Sequence, residues 1–439
     1  MKFYDRVKEV EILRRIRDDS RLSARFTVLT GRRRIGKTEL LKHAYGDEGF
    51  LYFFVARRSE AELCENYVQE IGEKLNVPIP GRFSRVCEVV RFVMELAKER
   101  EITLVIDEFQ ELHRIDPGAY SSLQRDWDLL HDRIRLNLVV SGSVNRMMNR
   151  IFRDHSEPLY GRQTDFLKLH VFSTDTLKEI LSDCNPKWKN EDLLALYSFT
   201  GGVAKYVELL MDAKAFTRDA MLKVIFREES AFLNEGRLCL GDEFGRDYGT
   251  YFSILSAIAR GHTTRPKIES DIGIDIGGYL KNLTEEYELL SRRLPLFDRP
   301  RSKNIAYALN DNFFIFWFRF IARYSHMLEI GSHGLLVEIV KRDYESFSGL
   351  MLERYFRQRY CERGEFTRIG SWWDRKGENE IDIIAANEIE KEVKFIEVKR
   401  NASKISLSSL ESKAQAFLCA TGELADCKRR YLGLSLEDM

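Results

Sequence analysis

Eight residues at positions 31–38, GRRRIGKT, have the spacing of a loop that binds phosphate groups. The two glycines, Gly31 and Gly36, let backbone N–H groups converge on phosphate oxygens. Lys37 can reach the β- and γ-phosphates of a nucleotide, and the Thr38 hydroxyl can bind Mg²⁺. The alternative is a basic turn between a strand and a helix. We expect ATP and Mg²⁺ to be bound here, by Gly31, Arg32, Arg33, Arg34, Ile35, Gly36, Lys37 and Thr38.

A second group of chemical side chains follows two apolar runs. The run ITLVID ends at Asp107, which we expect to hold Mg²⁺, and Glu108 is placed to polarise the attacking water. The alternative for this acidic pair is a helix N-cap. The run LNLVVS ends at Ser141, and either Ser141 or Ser143 could contact the γ-phosphate or the water. The alternative for the serines is a polar turn.

The elements around these residues alternate between strand and helix. Short apolar runs at 26–30, 50–55, 102–107 and 136–141 predict buried strands, with helical periodicity between them. This alternation predicts an α/β fold with a parallel sheet and helices on both faces. After about residue 170 the strand signal disappears, and it returns at 365–399.

Five segments resemble the archaeal-type P-loop ATPases, which lie near the STAND and AAA+ groups. They are GRRRIGKT, LVIDEFQEL, LVVSGSVNRMM, PLYGR and TGGVAKYVELL. The resemblance implies that Arg162 of PLYGR triggers hydrolysis, and the alternative is an arginine in a structural salt bridge. Ala204, in TGGVAKYVELL, stands where the family usually has proline. The resemblance therefore does not establish how tight the turn in this segment is.

The middle of the chain resembles a winged helix-turn-helix. Helical segments at 251–259, 266–272 and 274–290 are followed by a two-stranded wing within 291–309. A positive run on the wing could contact DNA phosphates, or the domain could bind protein instead. This run consists of Arg292, Arg293, Arg299, Arg301 and Lys303.

The C-terminal region has a D…E-x-K order. Asp382 and Glu397 lie on the predicted strands 381–386 and 394–399, and Lys399 shares the face of Glu397. With Glu353 on a preceding helix, this order resembles the restriction-endonuclease-like fold. The resemblance implies that Asp382 and Glu397 hold Mg²⁺, that Glu353 supports them and that Lys399 orients or activates the water. Gln415 is a weaker companion. The alternatives are a solvated hairpin and a nuclease-like fold without activity.

Composition sets the remaining limits. Lys+Arg and Asp+Glu both number 69, so a nucleic-acid site would have to be a local patch. Seven scattered cysteines, none in a CxxC pair, fit reduced thiols and no zinc site. The charged N-terminus lacks the apolar run of a signal peptide, and no stretch is long and apolar enough for a membrane span. We therefore expect a cytoplasmic protein with no membrane partner.

Together these patterns predict four domains. They are an ATPase core at 1–165, a helical lid at 166–240, a winged helix at 241–330 and a nuclease-like domain at 331–439. The expected enzyme is an ATPase that acts on nucleic acid, DNA rather than RNA, with a Mg²⁺-dependent nuclease output. The alternative is a STAND-like signalling switch whose C-terminal domain is catalytically silent and binds a partner. The patterns leave open a homo-oligomer or a protein partner.

Overall fold

The structure is a computed structural model that describes residues 1–46, 49–143, 145–244, 247–299, 304–375 and 377–439. It consists of two compact units. One is Asp5–His170, and the other combines Met1–Tyr4 with Val171–Met439. The expected domain boundary at residue 165 lies short of the end of the first unit, because a strand at Asp165–Leu169 belongs to its sheet. The finer division of the second unit stays a prediction.

A five-stranded parallel sheet forms the centre of the first unit. Its strands are β1 Arg25–Gly31, β2 Leu51–Phe54, β3 Ile102–Asp107, β4 Leu136–Gly142 and β5 Asp165–Leu169, in the order β2-β3-β4-β1-β5. The connecting helices are α1 Val7–Asp19, α2 Lys37–Tyr45, α3 Glu60–Leu75, α4 Val86–Leu96, α5 Leu112–Ile115, α6 Ala119–Leu130 and α7 Asn145–Arg153. Every residue of β3 and β4 is buried, as expected for strands covered on both faces. The predicted α/β fold is confirmed.

The strand order brings three chemical segments to one edge of this sheet. In the register of the parallel strands, β1 lies beside β4 and β4 lies beside β3. The carboxyl ends of these three strands therefore meet, and they carry Gly31, Asp107 and Ser141. Open parallel sheets bind ligands at this edge.

The second unit begins with helices. They are α8 Thr174–Cys184, α9 Asn190–Thr200, α10 Ala204–Asp212, α11 Arg218–Ile225, α12 Ala231–Phe244, α13 Tyr248–Ala259, α14 Arg265–Ile272 and α15 Gly277–Glu285. An antiparallel hairpin of β6 Leu290–Arg293 and β7 Ala306–Leu309 follows. Then come α16 Asn312–Phe316, α17 Ser325–Glu329 and the long α18 His333–Arg363. The turn at Gly201–Gly202 forms with Ala204 in place of proline, and the Phe172 N–H donates to the Gly202 carbonyl at 2.8 Å.

A four-stranded mixed sheet completes the second unit. Its strands are β8 Arg368–Trp373, β9 Glu380–Asn387, β10 Glu392–Val398 and β11 Lys428–Leu434, in the order β11-β10-β9-β8, with α19 Leu407–Thr421 between β10 and β11. Ile383 and Ile396 pack in the large core that contains α18, whereas Ile384 and Phe395 pack with Phe417 of α19. Alternate residues of each strand thus face different helices.

Some predicted elements differ from the observed ones. The strands β5 and β11 were not predicted, since DFLKL and KRRYLGL carry charged residues that hide a strand signal. The third helix of the middle region, predicted at 274–290, is the shorter α15. The wing residues Arg301 and Lys303 lie outside the described residues.

Within the parts of the chain that the structure describes, no helix is long and apolar enough to cross a membrane.

One close contact in the helical core gives a stability test. A Cβ added to Gly236 of α12 would lie 2.3 Å from the Trp317 ring, whereas a Cβ on Gly241 of the same helix meets nothing within 4 Å. We expect Gly236→Ala to lower the free energy of unfolding by about 1–3 kcal/mol through overpacking. Gly241→Ala should leave stability unchanged or raise it by up to about 1 kcal/mol, because alanine favours helix. Urea unfolding of both variants measures this, and equal effects would contradict the packing argument.

Candidate functional site

The loop after β1 has the backbone conformation that its glycines allow. Gly31 has φ 157°, and a Cβ there would lie 2.9 Å from the Leu169 carbonyl oxygen. Gly36 has φ 96° and begins α2 as its N-cap residue. Positive φ at these two positions is costly for residues with a Cβ. The loop therefore exposes backbone N–H groups at the start of a helix, which is where anions bind.

Lys37 is buried and its charge is poorly compensated. Its Nζ donates to the Gly31 carbonyl oxygen at 3.1 Å. Burial lowers the pKa of Lys37, and the charges of Asp107 and Glu108 oppose that shift only in part. A phosphate that binds beside this ammonium would restore the favourable charge balance.

Asp107 is the acceptor that joins the loop to the rest of the sheet edge. Its Oδ2 accepts hydrogen bonds from the Thr38 hydroxyl at 3.3 Å and from the Tyr52 hydroxyl at 2.5 Å. Its Oδ1 accepts the Glu108 N–H at 2.9 Å. Thr38 and Asp107, which were predicted as metal ligands, therefore lie together and offer only oxygen donors. Mg²⁺ prefers such donors, so this pair fits it.

Tyr52 is a residue that the sequence patterns missed. It lies on β2 inside an apolar run, and only the position of β2 beside β3 brings its hydroxyl to Asp107. Burial and the neighbouring Asp107 raise the pKa of Tyr52, so the hydroxyl stays a donor.

Glu108 is held by side chains at the same edge. It has φ 53°, and its carboxylate accepts the Ser143 hydroxyl at 3.1 and 3.0 Å to its two oxygens and the Gln110 amide at 2.5 Å. Of the two serines left open by the sequence, Ser143 therefore contacts Glu108. Ser141 lies opposite Leu29, and its buried hydroxyl has no hydrogen-bond partner among the described residues.

Arg162 does not join this cluster. It precedes β5, whose first residue Asp165 pairs with Thr27, so it lies towards the amino end of the sheet. The level of Gly31 is about 13 Å further along β1 at the usual rise per residue. The Arg162 guanidinium binds both carboxylate oxygens of Asp128 at 2.9–3.2 Å. This geometry matches the structural salt bridge that was left open, and a role in hydrolysis stays a prediction.

The four C-terminal residues come together at one end of the mixed sheet. The register that pairs Ile396 with Ile383 places the next residues, Glu397 and Asp382, opposite each other. The Lys399 Nζ lies 3.4 Å from Asp382 Oδ2 and 3.7 Å from Glu397 Oε1. Burial acts to lower the pKa of Lys399, but the two carboxylates outweigh it and the pKa is raised.

Further polar groups surround this cluster. The Val398 N–H donates to Asp382 Oδ2 at 2.7 Å, and the Ser406 N–H donates to Glu397 Oε2 at 3.0 Å. Lys413 of α19 lies 3.6 Å from Glu397. The expected companion Gln415 is exposed and donates to the Cys419 sulfur.

Glu353 faces the same cluster from α18. Its carboxylate makes no hydrogen bond or ion pair among the residues that the structure describes. Burial, together with the charges of Asp382 and Glu380, raises the pKa of Glu353 to about 7, against the opposing effect of Arg357 and Lys399. In the described ranges no group of three or more His, Cys, Asp or Glu side chains is arranged to hold a metal ion. The carboxylates of Asp382 and Glu397 are oxygen donors suited to Mg²⁺, but Lys399 supplies the positive charge between them.

A parallel sheet with a glycine loop, a buried lysine and an acid at the end of the neighbouring strand defines a P-loop NTPase. Residues 3–210 match a family described as an ATPase domain predominantly from Archaea. Residues 317–412 match a family described as archaeal bacterial proteins of unknown function. A Methanocaldococcus jannaschii protein, described as uncharacterised, is 31% identical over 416 residues, covering 90% of this chain and 87% of that protein. The chain belongs to the archaeal ATPase family, and it is an ATPase that binds nucleotide.

Two solved structures share the fold. The Walker-type ATPase of Pyrococcus abyssi has a TM-score of 0.54 and 19% identity, covering 72% of this chain and 96% of that one. The ORC2 protein of Aeropyrum pernix, solved as ADPNP–ADP complexes, has a TM-score of 0.50 and 14% identity, covering 75% and 96%. At this identity the likeness concerns the fold alone.

The hydrogen bond from Tyr52 to Asp107 gives a test of metal binding. Tyr52→Phe removes a donor to a charged acceptor, which is typically worth about 1.5–3 kcal/mol. We expect the Mg²⁺ concentration that half-saturates the nucleotide complex to rise about tenfold, with nucleotide binding in EDTA unchanged. Fluorescent-nucleotide binding titrated with Mg²⁺ measures it. Tyr67→Phe is the matched control, since that hydroxyl donates to the Phe54 carbonyl. An unchanged Mg²⁺ dependence would remove Tyr52 from this role.

The raised pKa of Glu353 gives a test of stability. A carboxyl whose folded pKa lies above its unfolded value stabilises the fold while protonated, and that contribution is lost as pH rises through about 7. We expect Glu353→Gln to raise Tm by a few degrees at about pH 8 and to change it little at about pH 5, in EDTA. Glu345→Gln on the exposed side of α18 is the control. Equal shifts at both pH values would show that the Glu353 charge carries no penalty.

Proposed function

We propose that this ATPase acts on nucleic acid, DNA rather than RNA, and that its C-terminal sheet carries a Mg²⁺-dependent nuclease centre. The observation that supports this most is the meeting of Asp382, Glu397, Lys399 and Glu353 at one end of the sheet. Glu353 comes from α18, Asp382 and Glu397 come from the paired strands β9 and β10, and Lys399 directly follows β10. A solvated hairpin would leave its charged side chains exposed, whereas Asp382 and Glu397 are buried.

In the proposed ATP site each residue has one role. Lys37 and the backbone of the loop hold the β- and γ-phosphates, and Thr38 with Asp107 holds Mg²⁺. Glu108 polarises the attacking water. The contacts of Glu108 with Ser143 and Gln110 support this role, because they fix the direction of its carboxylate. Ser141 is proposed to contact the γ-phosphate.

In the proposed nuclease centre Asp382 and Glu397 hold the metal ion. Mg²⁺, when bound, supplies positive charge to the phosphodiester and lowers the pKa of a water. Lys399 orients or activates that water, and Glu353 supports the carboxylates from α18. The raised pKa of Glu353 supports this arrangement, since a nearby cation would stabilise its ionised form.

DNA contact is proposed for the middle of the second unit. The order of α13, α14, α15 and the β6–β7 hairpin is that of a winged helix. Arg292 and Arg299 are exposed on the hairpin side and are available for phosphate contacts. Arg293 is not available in this way, because it packs against the C-terminal sheet.

A second candidate is a STAND-like switch whose C-terminal domain is catalytically silent and binds a partner. The observation that favours it is the ammonium of Lys399, which lies near both carboxylates. It supplies the positive charge that a metal ion would otherwise supply to neutralise them. In this case the charge cluster only stabilises the domain.

The two candidates differ in what the acids do. Under the first, Asp382→Asn abolishes metal-dependent cleavage of a DNA and RNA panel and leaves ATP hydrolysis intact, because it removes a ligand charge without changing side-chain size. Glu108→Gln instead slows ATP turnover, by about a hundredfold or more, while nucleotide still binds. Cleavage products on gels and phosphate release measure the two activities.

The controls are Glu390→Gln, an exposed acid in the turn between β9 and β10, and Lys37→Ala, which should abolish tight Mg·ATP binding. If the cleavage seen with the wild type persists in Asp382→Asn, that cleavage comes from a contaminant. No cleavage by the wild type under any condition would favour the switch.

A further inference from the structure

The hairpin of β6 and β7 is attached to the edge of the C-terminal sheet. The Leu296 N–H donates to the Ser371 carbonyl at 2.9 Å, and the Trp373 indole N–H donates to Asn304 Oδ1 at 2.9 Å. A Cβ on Gly370 would lie 2.9 Å from the Leu296 side chain. The segment after β6 therefore covers β8, the edge strand of the mixed sheet.

This attachment places Arg293, the last residue of β6, beside the acidic cluster. Its Nη2 donates to the Ser371 hydroxyl at 3.0 Å. Burial lowers the pKa of Arg293, and the charges of Glu353 and Glu380 act against that shift. Among the described residues Arg293 forms no direct ion pair. The neighbouring Arg292 is exposed, as expected from the alternation of side chains along a strand.

A second guanidinium lies close to the first. Arg357 is one helical turn after Glu353, and its Nη2 donates to the main-chain oxygen of Asp382 at 2.9 Å. Its Nε is buried and has no hydrogen-bond partner in the described part of the chain. Burial and the proximity of Arg293 together lower the pKa of Arg357 to about 10.

Within the described part of the chain, two arginines and one carboxyl at this edge thus form no direct ion pair. Holding half-buried guanidinium groups without a paired anion costs free energy, which an incoming anion recovers. A planar guanidinium binds phosphate oxygens with two parallel hydrogen bonds. A phosphate group of a nucleic-acid strand would supply such an anion beside Asp382, Glu397 and Lys399.

We propose that Arg293 and Arg357 bind a phosphodiester of the nucleic-acid strand at the C-terminal centre, so that the hairpin supplies a substrate-binding residue to that centre. This inference rests on the proposed nuclease function. Arg357 approaches from α18, which also carries Glu353. The competing explanation is that Arg293 only fastens the hairpin to the sheet through Ser371.

Four variants separate these explanations. Arg293→Ala removes the guanidinium, and Arg293→Lys keeps a charge with lower risk to folding. Ser371→Ala removes the fastening hydrogen bond and leaves the guanidinium. Arg342→Ala removes an exposed arginine of α18 that pairs with Asp343, and it is the control. Binding of a fluorescent 20-base-pair duplex is measured in EDTA at several salt concentrations, and cleavage is measured in Mg²⁺.

We expect Arg293→Ala to raise Kd by about tenfold or more in EDTA, as for a charged hydrogen bond in a buried site, and to reduce the salt slope by about one. Arg293→Lys should recover part of this affinity. Cleavage at saturating duplex should fall for Arg293→Ala and stay unchanged for Arg342→Ala, because only Arg293 lies beside the acidic cluster. Ser371→Ala should bind duplex nearly as the wild type does.

The proposal is overturned if Arg293→Ala binds and cleaves like Arg342→Ala, or if Ser371→Ala reproduces the loss seen with Arg293→Ala. If the wild type never cleaves, the nuclease function fails. The binding measurements in EDTA then still decide whether Arg293 contacts phosphate.

Discussion

A lysine ammonium beside buried carboxylates is the interaction on which both candidate sites depend. A charge taken out of water is stable only beside an opposite charge or a ligand that supplies one. Lys37 lies near Asp107 and Glu108, and Lys399 lies within 4 Å of Asp382 and Glu397. At each site the lysine makes it possible to bury carboxylates that would otherwise repel each other. An incoming phosphate or cation changes this balance, which makes both clusters responsive to ligands.

The two sheets bring these groups together by different geometries. In the first unit, parallel strands end at one edge, so residues that follow strands far apart in sequence meet there. In the mixed sheet, antiparallel pairing of β9 with β10 places Asp382 opposite Glu397. The nucleotide site is thus built at strand ends by loops and a helix start, whereas the C-terminal cluster is built by register, with a contribution from α18.

The second unit also connects its own helices to the C-terminal cluster. Arg400 follows Lys399, and its guanidinium binds Glu191 of α9 at 2.7 Å and the Ser348 hydroxyl at 2.6 Å. The Tyr344 ring lies under both Arg218 and Arg400. The hairpin contacts the same region through Ser371. A displacement of α9 or of the hairpin would therefore change the contacts of residues close to Lys399, because these hydrogen bonds link the elements to one another.

The sequence alone determined the features that depend on local chemistry. GRRRIGKT and the strand ending in Asp107 predicted the loop, its neighbours and a parallel sheet, because phosphate binding requires a fixed spacing and buried parallel strands are continuous apolar runs. The ordered set Glu353, Asp382, Glu397 and Lys399 could be named from residue types and strand periodicity. The strands β5 and β11 could not, because their burial comes from neighbours and their sequences are polar.

Tertiary structure decided which of these residues meet. Tyr52, Lys413 and Arg357 carry no local signal, and only strand order and helix packing bring them to Asp107, Glu397 and Asp382. Arg162 was named by resemblance, but the direction of β5 places it away from the nucleotide loop. Arg293 is in a basic run that suggested a solvent-facing wing, yet it is half-buried and donates to Ser371 of the mixed sheet. Spacing along the chain encodes backbone conformation and periodicity, whereas distances between segments depend on the packing of the whole core.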